Sequence, residues 1–168
     1  FAFQPSEIPN LKLWLETGDF QTIRPLEADA SPCEDAEICL TWPDQSANAK
    51  NFTVAVNGPT YKKPSTVDTG TPNAKGRLVF DGTNDVLSAA SAADWRFTVD
   101  GTGLTLFCVC KIATTSNTPL VDDGGYAGGQ DGMGMWVDDG GNFGRATFII
   151  RKDAGTNVVF AQAANSQN

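Results

Sequence analysis

The chain has 168 residues, with 12 Lys and Arg against 20 Asp and Glu, no histidine, and a net charge of −8. At 40% hydrophobic and 19% charged residues it is long and apolar enough to bury a core, and its acidity argues against nucleic-acid or anionic-membrane partners, which need clustered Lys and Arg. Without histidine, Ser–His–Asp and Cys–His catalysis, imidazole zinc sites and an imidazole pH switch are excluded, while carboxylate chemistry, calcium binding and non-catalytic roles are not.

The chain opens on Phe1 rather than Met, with no basic segment leading into an apolar one. Leu11, Leu13 and Leu15 then alternate with Lys12 and Trp14, a period of two that predicts a short strand. Cys33 and Cys39 bracket the acidic stretch Glu34-Asp35-Ala36-Glu37-Ile38. A disulfide between them would close a small loop and contribute about 2 kcal/mol through chain entropy. Such a bridge implies an oxidising setting outside the cytosol. Residues 76–80 predict another strand, and residues 88–95 one helical turn.

Residues 104–112 form the longest apolar run, short of the ~18 a membrane span needs. Leu104, Leu106, Cys108 and Cys110 fall on one face and Thr105, Phe107, Val109 and Lys111 on the other, the pattern of a strand buried on both faces. Cys108 and Cys110 read as small core residues, since a bridge at that spacing needs unusual geometry. No Cys-x-x-Cys spacing suggests zinc. Residues 133–137, 146–151 and 157–161 complete a set of roughly ten strands, an all-β sandwich or barrel. The whole of 1–168 is expected to form one domain.

Three segments in order carry a resemblance: Pro9-Asn10-Leu11-Lys12-Leu13-Trp14-Leu15-Glu16 with Asp19 beyond it, Thr41-Trp42-Pro43-Asp44-Gln45-Ser46-Ala47-Asn48, and Phe80-Asp81-Gly82-Thr83-Asn84-Asp85-Val86-Leu87. With the strand at 104–111 they resemble the LamG-type domains of the concanavalin A-like lectin/glucanase superfamily, which implies an antiparallel jelly-roll β-sandwich over Pro9 to about Arg151. There are departures. Ala47 and Ala49 stand where the family carries glycines, so that loop is expected to be reshaped, and the insert 24–39 is longer than the family's turn. The family's later strands have no counterpart after Phe160. The expectation is therefore a sandwich incomplete at its C-terminal side, continued by further chain or covered along its edge by a partner.

The superfamily includes laminarinase-type glycoside hydrolases, whose carboxylates lie on one strand at Glu-x-Asp-x-Glu spacing. Glu34-Asp35-Ala36-Glu37 has the wrong spacing and lies in a loop, so no catalytic residue is assigned. Asp81, Asn84 and Asp85 offer oxygen ligands for calcium, against which stands ordinary turn chemistry. Asp122, Asp123, Asp131, Asp138 and Asp139, with Tyr126 and Trp136, sit in segments expected at one rim of a sandwich, where they would make a direct or calcium-assisted sugar site; against this, Trp136 reads as core and the aspartates as solubilising. Trp14 and Trp42 read as packing, and Asn51-Phe52-Thr53 fits a glycosylation acceptor.

Three functional readings follow. The first is a non-catalytic structural or adhesive module of an exposed assembly, on a virion (capsid decoration, fibre or appendage) or a cell surface, with other protein subunits as partners and no cofactor. The second is a carbohydrate-binding module of a secreted protein, with glycans as ligands. The third is a laminarinase-like hydrolase.

Overall fold

A computed structural model of the chain describes residues 5–17, 23–25, 31–54, 57–64, 75–89, 95, 104–110, 118–122, 132–137, 146–152 and 156–162. Among these the regular structure is one 3-10 turn, Pro5–Glu7, and nine strands, all paired antiparallel, so the chain is all-β in character. Its contacts divide into two compact units, Phe1–Ala90 and Ser91–Asn168.

The first unit is built from short strands rich in the β-branched and aromatic residues that suit a pleated surface. They are β1 (Thr41–Trp42), β2 (Phe52–Thr53), β3 (Thr60–Lys62), β4 (Arg77–Val79) and β5 (Ser88–Ala89). β1, β2 and β5 form one sheet in that order, with Trp42 opposite Phe52 and Phe52 opposite Ala89. β3 and β4 pair separately, with Tyr61 opposite Leu78. Two single bridges, Arg24 to Thr41 and Ile38 to Thr60, tie flanking segments to β1 and β3. Tyr61 alternates inward between half-buried Thr60 and Lys62, as period two requires. It joins Ile23, Cys33 and Cys39 in a fully buried cluster, against which Trp42 and Leu78 pack.

The second unit is a meander of β6 (Thr118–Asp122), β7 (Gly132–Val137), β8 (Ala146–Lys152) and β9 (Thr156–Gln162), hydrogen-bonded in that order. β6 is an edge strand, which is where Pro119, lacking an N–H, is tolerated. A register shift between Pro119 and Val121 bends it. Met133 on β7 and Thr147 on β8 are buried.

The strands expected at 76–80, 133–137, 146–151 and 157–161 are present. Three expectations are corrected. Residues 11–15 form no strand: the side chains of Asp44 and Asn48 and a backbone bond from Gln45, not a ladder, hold them. Ser88 and Ala89 pair with β2 rather than opening the helical turn expected over 88–95, because the edge of β2 offers them ladder hydrogen bonds; residues 90–94 lie outside the described residues. Residues 104–110 join no ladder, Phe107 and Val109 are 84% and 85% exposed, and Cys108 and Cys110 are exposed thiols rather than core. Alternation makes a segment competent to pair but supplies no partner strand.

Gly58 marks the tightest approach in the first unit. A Cβ there would collide with the Cys39 carbonyl oxygen and press on Ile38 and Val54, both at 3.2 Å. The neighbouring Pro59 carbonyl accepts from the Cys39 N–H at 2.8 Å, so the two backbones cannot separate without breaking that bond. Gly58→Ala is therefore expected to destabilise the chain by about 2 kcal/mol, read as a lower urea midpoint at unchanged m-value.

Candidate functional site

The most connected polar centre among the described residues is Asp44, which directly follows Pro43 at the end of β1. Its carboxylate is nearly buried, at 7% exposure. One oxygen, Oδ1, accepts from the backbone N–H of Trp14 at 2.9 Å and of Ser46 at 2.8 Å. The other, Oδ2, accepts from the Ser46 hydroxyl at 2.7 Å and the Lys50 N–H at 2.9 Å. Its own N–H donates to Asn51 Oδ1 at 3.1 Å, which engages the side chain of the Asn51-Phe52-Thr53 acceptor pattern. Burial alone would raise the Asp44 carboxyl, but the four donated hydrogen bonds outweigh it and hold the group below the usual carboxylate range.

Around this centre the first two segments of the resemblance interlock. Gln45 N–H donates to the Trp14 carbonyl at 2.7 Å, and Asn48 Nδ2 to the carbonyls of Leu11 and Lys12 at 2.9 and 3.2 Å. Trp42 Nε1–H reaches the Glu16 carbonyl at 3.1 Å. Trp42 is thereby fixed in packing, as expected, and Trp14 is half-buried. Ala49 adopts φ 52°, a left-handed conformation that a glycine takes more readily. Ala47 has no positive φ.

In the third segment Asp81 Oδ1 accepts from the N–H groups of Thr83 at 2.7 Å and Asn84 at 3.2 Å, and Asp85 Oδ2 from the Asp81 N–H at 2.8 Å. The Thr83 and Asn84 amides lower the Asp81 carboxyl. Gly82, at φ 74°, turns the chain between them. These contacts are those of an Asx turn, and of the oxygens considered for calcium Asp81 Oδ1 and Asp85 Oδ2 accept from backbone amides. Among the described residues no three His, Cys, Asp or Glu side chains are grouped to hold a metal.

Of the residues considered for a sugar site, Asp122 ends β6 opposite Gly134, and Trp136 lies on β7 between Pro119 and Thr147. Asp123, Tyr126, Asp131, Asp138 and Asp139 lie outside the described residues. The segment holding Asp131 joins β7 at Gly132, and the segment holding Asp138 and Asp139 leaves it at Val137. Those roots are the two ends of a six-residue strand, roughly 17 Å apart at strand rise. The hairpin order therefore does not by itself gather both acidic segments at one rim.

The acidic stretch at 34–37 is a turn closed by Glu37 N–H to the Glu34 carbonyl at 3.1 Å, with Ala36 at φ 66°. Glu34 pairs with Lys63, and Asp35 with Lys62 at 3.9 Å. Cys33 and Cys39 at its base are fully buried, with their Sγ atoms 2.8 Å apart. Among the described residues no helix is long and apolar enough to cross a membrane.

Searches of protein-family models, of curated proteins and of solved structures find no match to this chain.

Asp44 yields two expected outcomes. Asp44→Ala leaves three backbone N–H groups without their acceptor and should cost about 3 kcal/mol, whereas Asp44→Asn keeps one oxygen and should cost about 2 kcal/mol. Because the folded-state carboxyl lies below its unfolded value, its contribution is complete above the ordinary carboxylate range and is lost as pH falls through the lowered value. Denaturant titrations between neutral and strongly acidic pH should show a steeper acid loss in the parent than in Asp44→Asn. Separately, Ala49→Gly should raise the melting midpoint by an amount equivalent to about 0.5–1 kcal/mol, since it relieves a left-handed alanine.

Proposed function

We propose that this chain is a non-catalytic structural or adhesive module, a LamG-like jelly roll carried on the exposed surface of a larger assembly such as a virion appendage or a cell-surface protein. The observation that carries the reading is the interlock at Asp44. Two of the segments on which the resemblance rests, 26 to 30 residues apart at the bonds Trp42 to Glu16 and Trp14 to Asp44, are stitched by the side chains of Trp42, Asp44 and Asn48 from the second onto the backbone of the first. This is the behaviour of motifs that define a fold rather than a reaction centre.

The disposition of the described carboxylates supports the same reading. Asp44, Asp81 and Asp85 accept from backbone amides, and Glu16, Glu34 and Asp35 meet lysines. Acid–base chemistry on a glycosidic bond needs instead two carboxyl groups facing a common gap. Other protein subunits are the partners this reading calls for. The outer edge of β9, the last strand in its sheet's order, is seven residues long and contains neither Pro nor Lys, the residues that discourage edge pairing.

The alternative, a carbohydrate-binding module, rests on Asp122, Trp136 and the acidic segments flanking β7. The two are separated by light scattering on the full chain together with a glycan array probed with and without calcium. Stoichiometric self-association or co-assembly with no glycan retained is the expected result. A stable monomer that binds a glycan, and loses it in Trp136→Ala, would transfer the assignment to the alternative. Cleavage of a β-glucan would overturn both.

A further inference from the structure

The Cys33–Cys39 pair occupies the centre of the first unit's core, and its surroundings are built to hold the two residues together. Cys33 N–H donates to the Ile23 carbonyl at 2.9 Å, and Cys39 N–H to the Pro59 carbonyl at 2.8 Å. Between them the turn at 34–37 is zipped onto β3: Ala36 N–H donates to the Tyr61 carbonyl and Tyr61 N–H to the Glu37 carbonyl, both at 2.8 Å. Glu37 Oε2 accepts from the Glu34 N–H at 2.7 Å, and Asp35 Oδ1 from the Lys63 N–H at 2.9 Å. Gly58 lets the Cys39 backbone lie against the strand. The two thiols are thus fixed from both sides, with Sγ atoms 2.8 Å apart and no solvent exposure at either residue.

We propose that Cys33 and Cys39 form a folding-coupled redox site, a dithiol that a small disulfide oxidant of the glutathione-disulfide class converts to an intramolecular disulfide before the core closes over it. In the first step one cysteine, as thiolate, attacks the oxidant's disulfide, forming a mixed disulfide and releasing one thiolate. The second cysteine thiolate then attacks the protein sulfur of that mixed disulfide and releases the second. The protein gives up two protons and two electrons, that is two hydrogens, and the oxidant becomes two thiols.

Burial gives the site its direction in time. It pushes the Cys33 thiol up and does the same to Cys39, so the folded dithiol presents little thiolate, and no exposed sulfur, to an oxidant. The same closure shields the finished bridge from thiol reductants. Cys108 and Cys110 are both exposed, so their sulfurs remain open to an oxidant in the folded chain and are removed in the test.

The test uses the full chain carrying Cys108→Ser and Cys110→Ser, refolded from urea in a mixture of reduced and oxidised glutathione, then alkylated in denaturant and weighed intact. The expected product has lost two hydrogens and takes up no alkyl group. In native buffer dithiothreitol should reduce it at least about 100-fold more slowly than in urea, and reduction should lower the melting midpoint by roughly 10 °C, the value for a seven-residue loop in a unit of this size. Adding Cys33→Ala and Cys39→Ala should give a melting midpoint that no longer responds to oxidant. Two alkyl groups on the refolded protein would overturn the proposal, as would equal reduction rates with and without urea. Both measurements hold even if the alanine variant fails to fold.

Discussion

A buried carboxylate is a constraint before it is a contribution. Removing Asp44 from water disfavours its charge, and the charge is retained only because four donors converge on it. Each donor fixes a piece of chain: the Trp14 amide brings in the N-terminal segment, Ser46 tightens the turn after β1, and Lys50 closes the loop that leads to β2. Residues 11–17 contribute no ladder to any sheet, so their place in the first unit is set by this centre, by the side chains of Trp42 and Asn48, by the Gln45 amide on the Trp14 carbonyl, and by Thr17 and Glu16 reaching Gly76 and Lys75. The arrangement concentrates much of the unit's long-range polar order on one ionised group, which ties that order to pH.

Among the described residues the fully buried apolar cluster of the same unit is small. It holds Ile23, Cys33, Cys39 and Tyr61, with Trp42 and Leu78 at the margin, and the unit's strands are two or three residues long. Short strands in small sheets gain little from ladder hydrogen bonds alone. A modest core is a setting in which a covalent cross-link contributes a large share of total stability. The zipped turn at 34–37, the close approach at Gly58 and the two adjacent thiols therefore belong to one structural solution, in which tight backbone contact holds the described cluster in place and positions the thiols for the proposed cross-link.

Sequence reading succeeded where local pattern and pairing coincide. Residues 133–137, 146–151 and 157–161 are consecutive, β-prone and separated by turn residues, so each strand's partner is its neighbour and the meander follows from the order. It failed where the outcome depends on a distant partner. Residues 11–15 and 104–110 alternate as cleanly as any strand here, yet neither joins a ladder, because alternation describes a face without saying what covers it. Asp44 escaped notice because Asp after Pro reads as a turn residue; its one local signal was Ser46 two positions on, the spacing of an Asx turn. Ala49 misled in the opposite sense: the alanine takes a left-handed conformation more usual for glycine, and sequence cannot show that the surrounding hydrogen bonds sustain it.

The meander also bears on how a ligand could use the second unit. A sugar site needs polar groups converging on one ring with an aromatic face beneath it. Antiparallel hairpins alternate their connections, so the segment before Gly132 and the segment after Val137 start from opposite ends of β7. Asp122, at the end of β6, stands on the Asp131 side, while Trp136 stands one residue from the end at which Asp138 and Asp139 follow. The segment after Val137 is thus rooted beside Trp136 and the segment before Gly132 on the side of Asp122, whereas the motifs around Asp44 are joined directly by hydrogen bonds between their own residues.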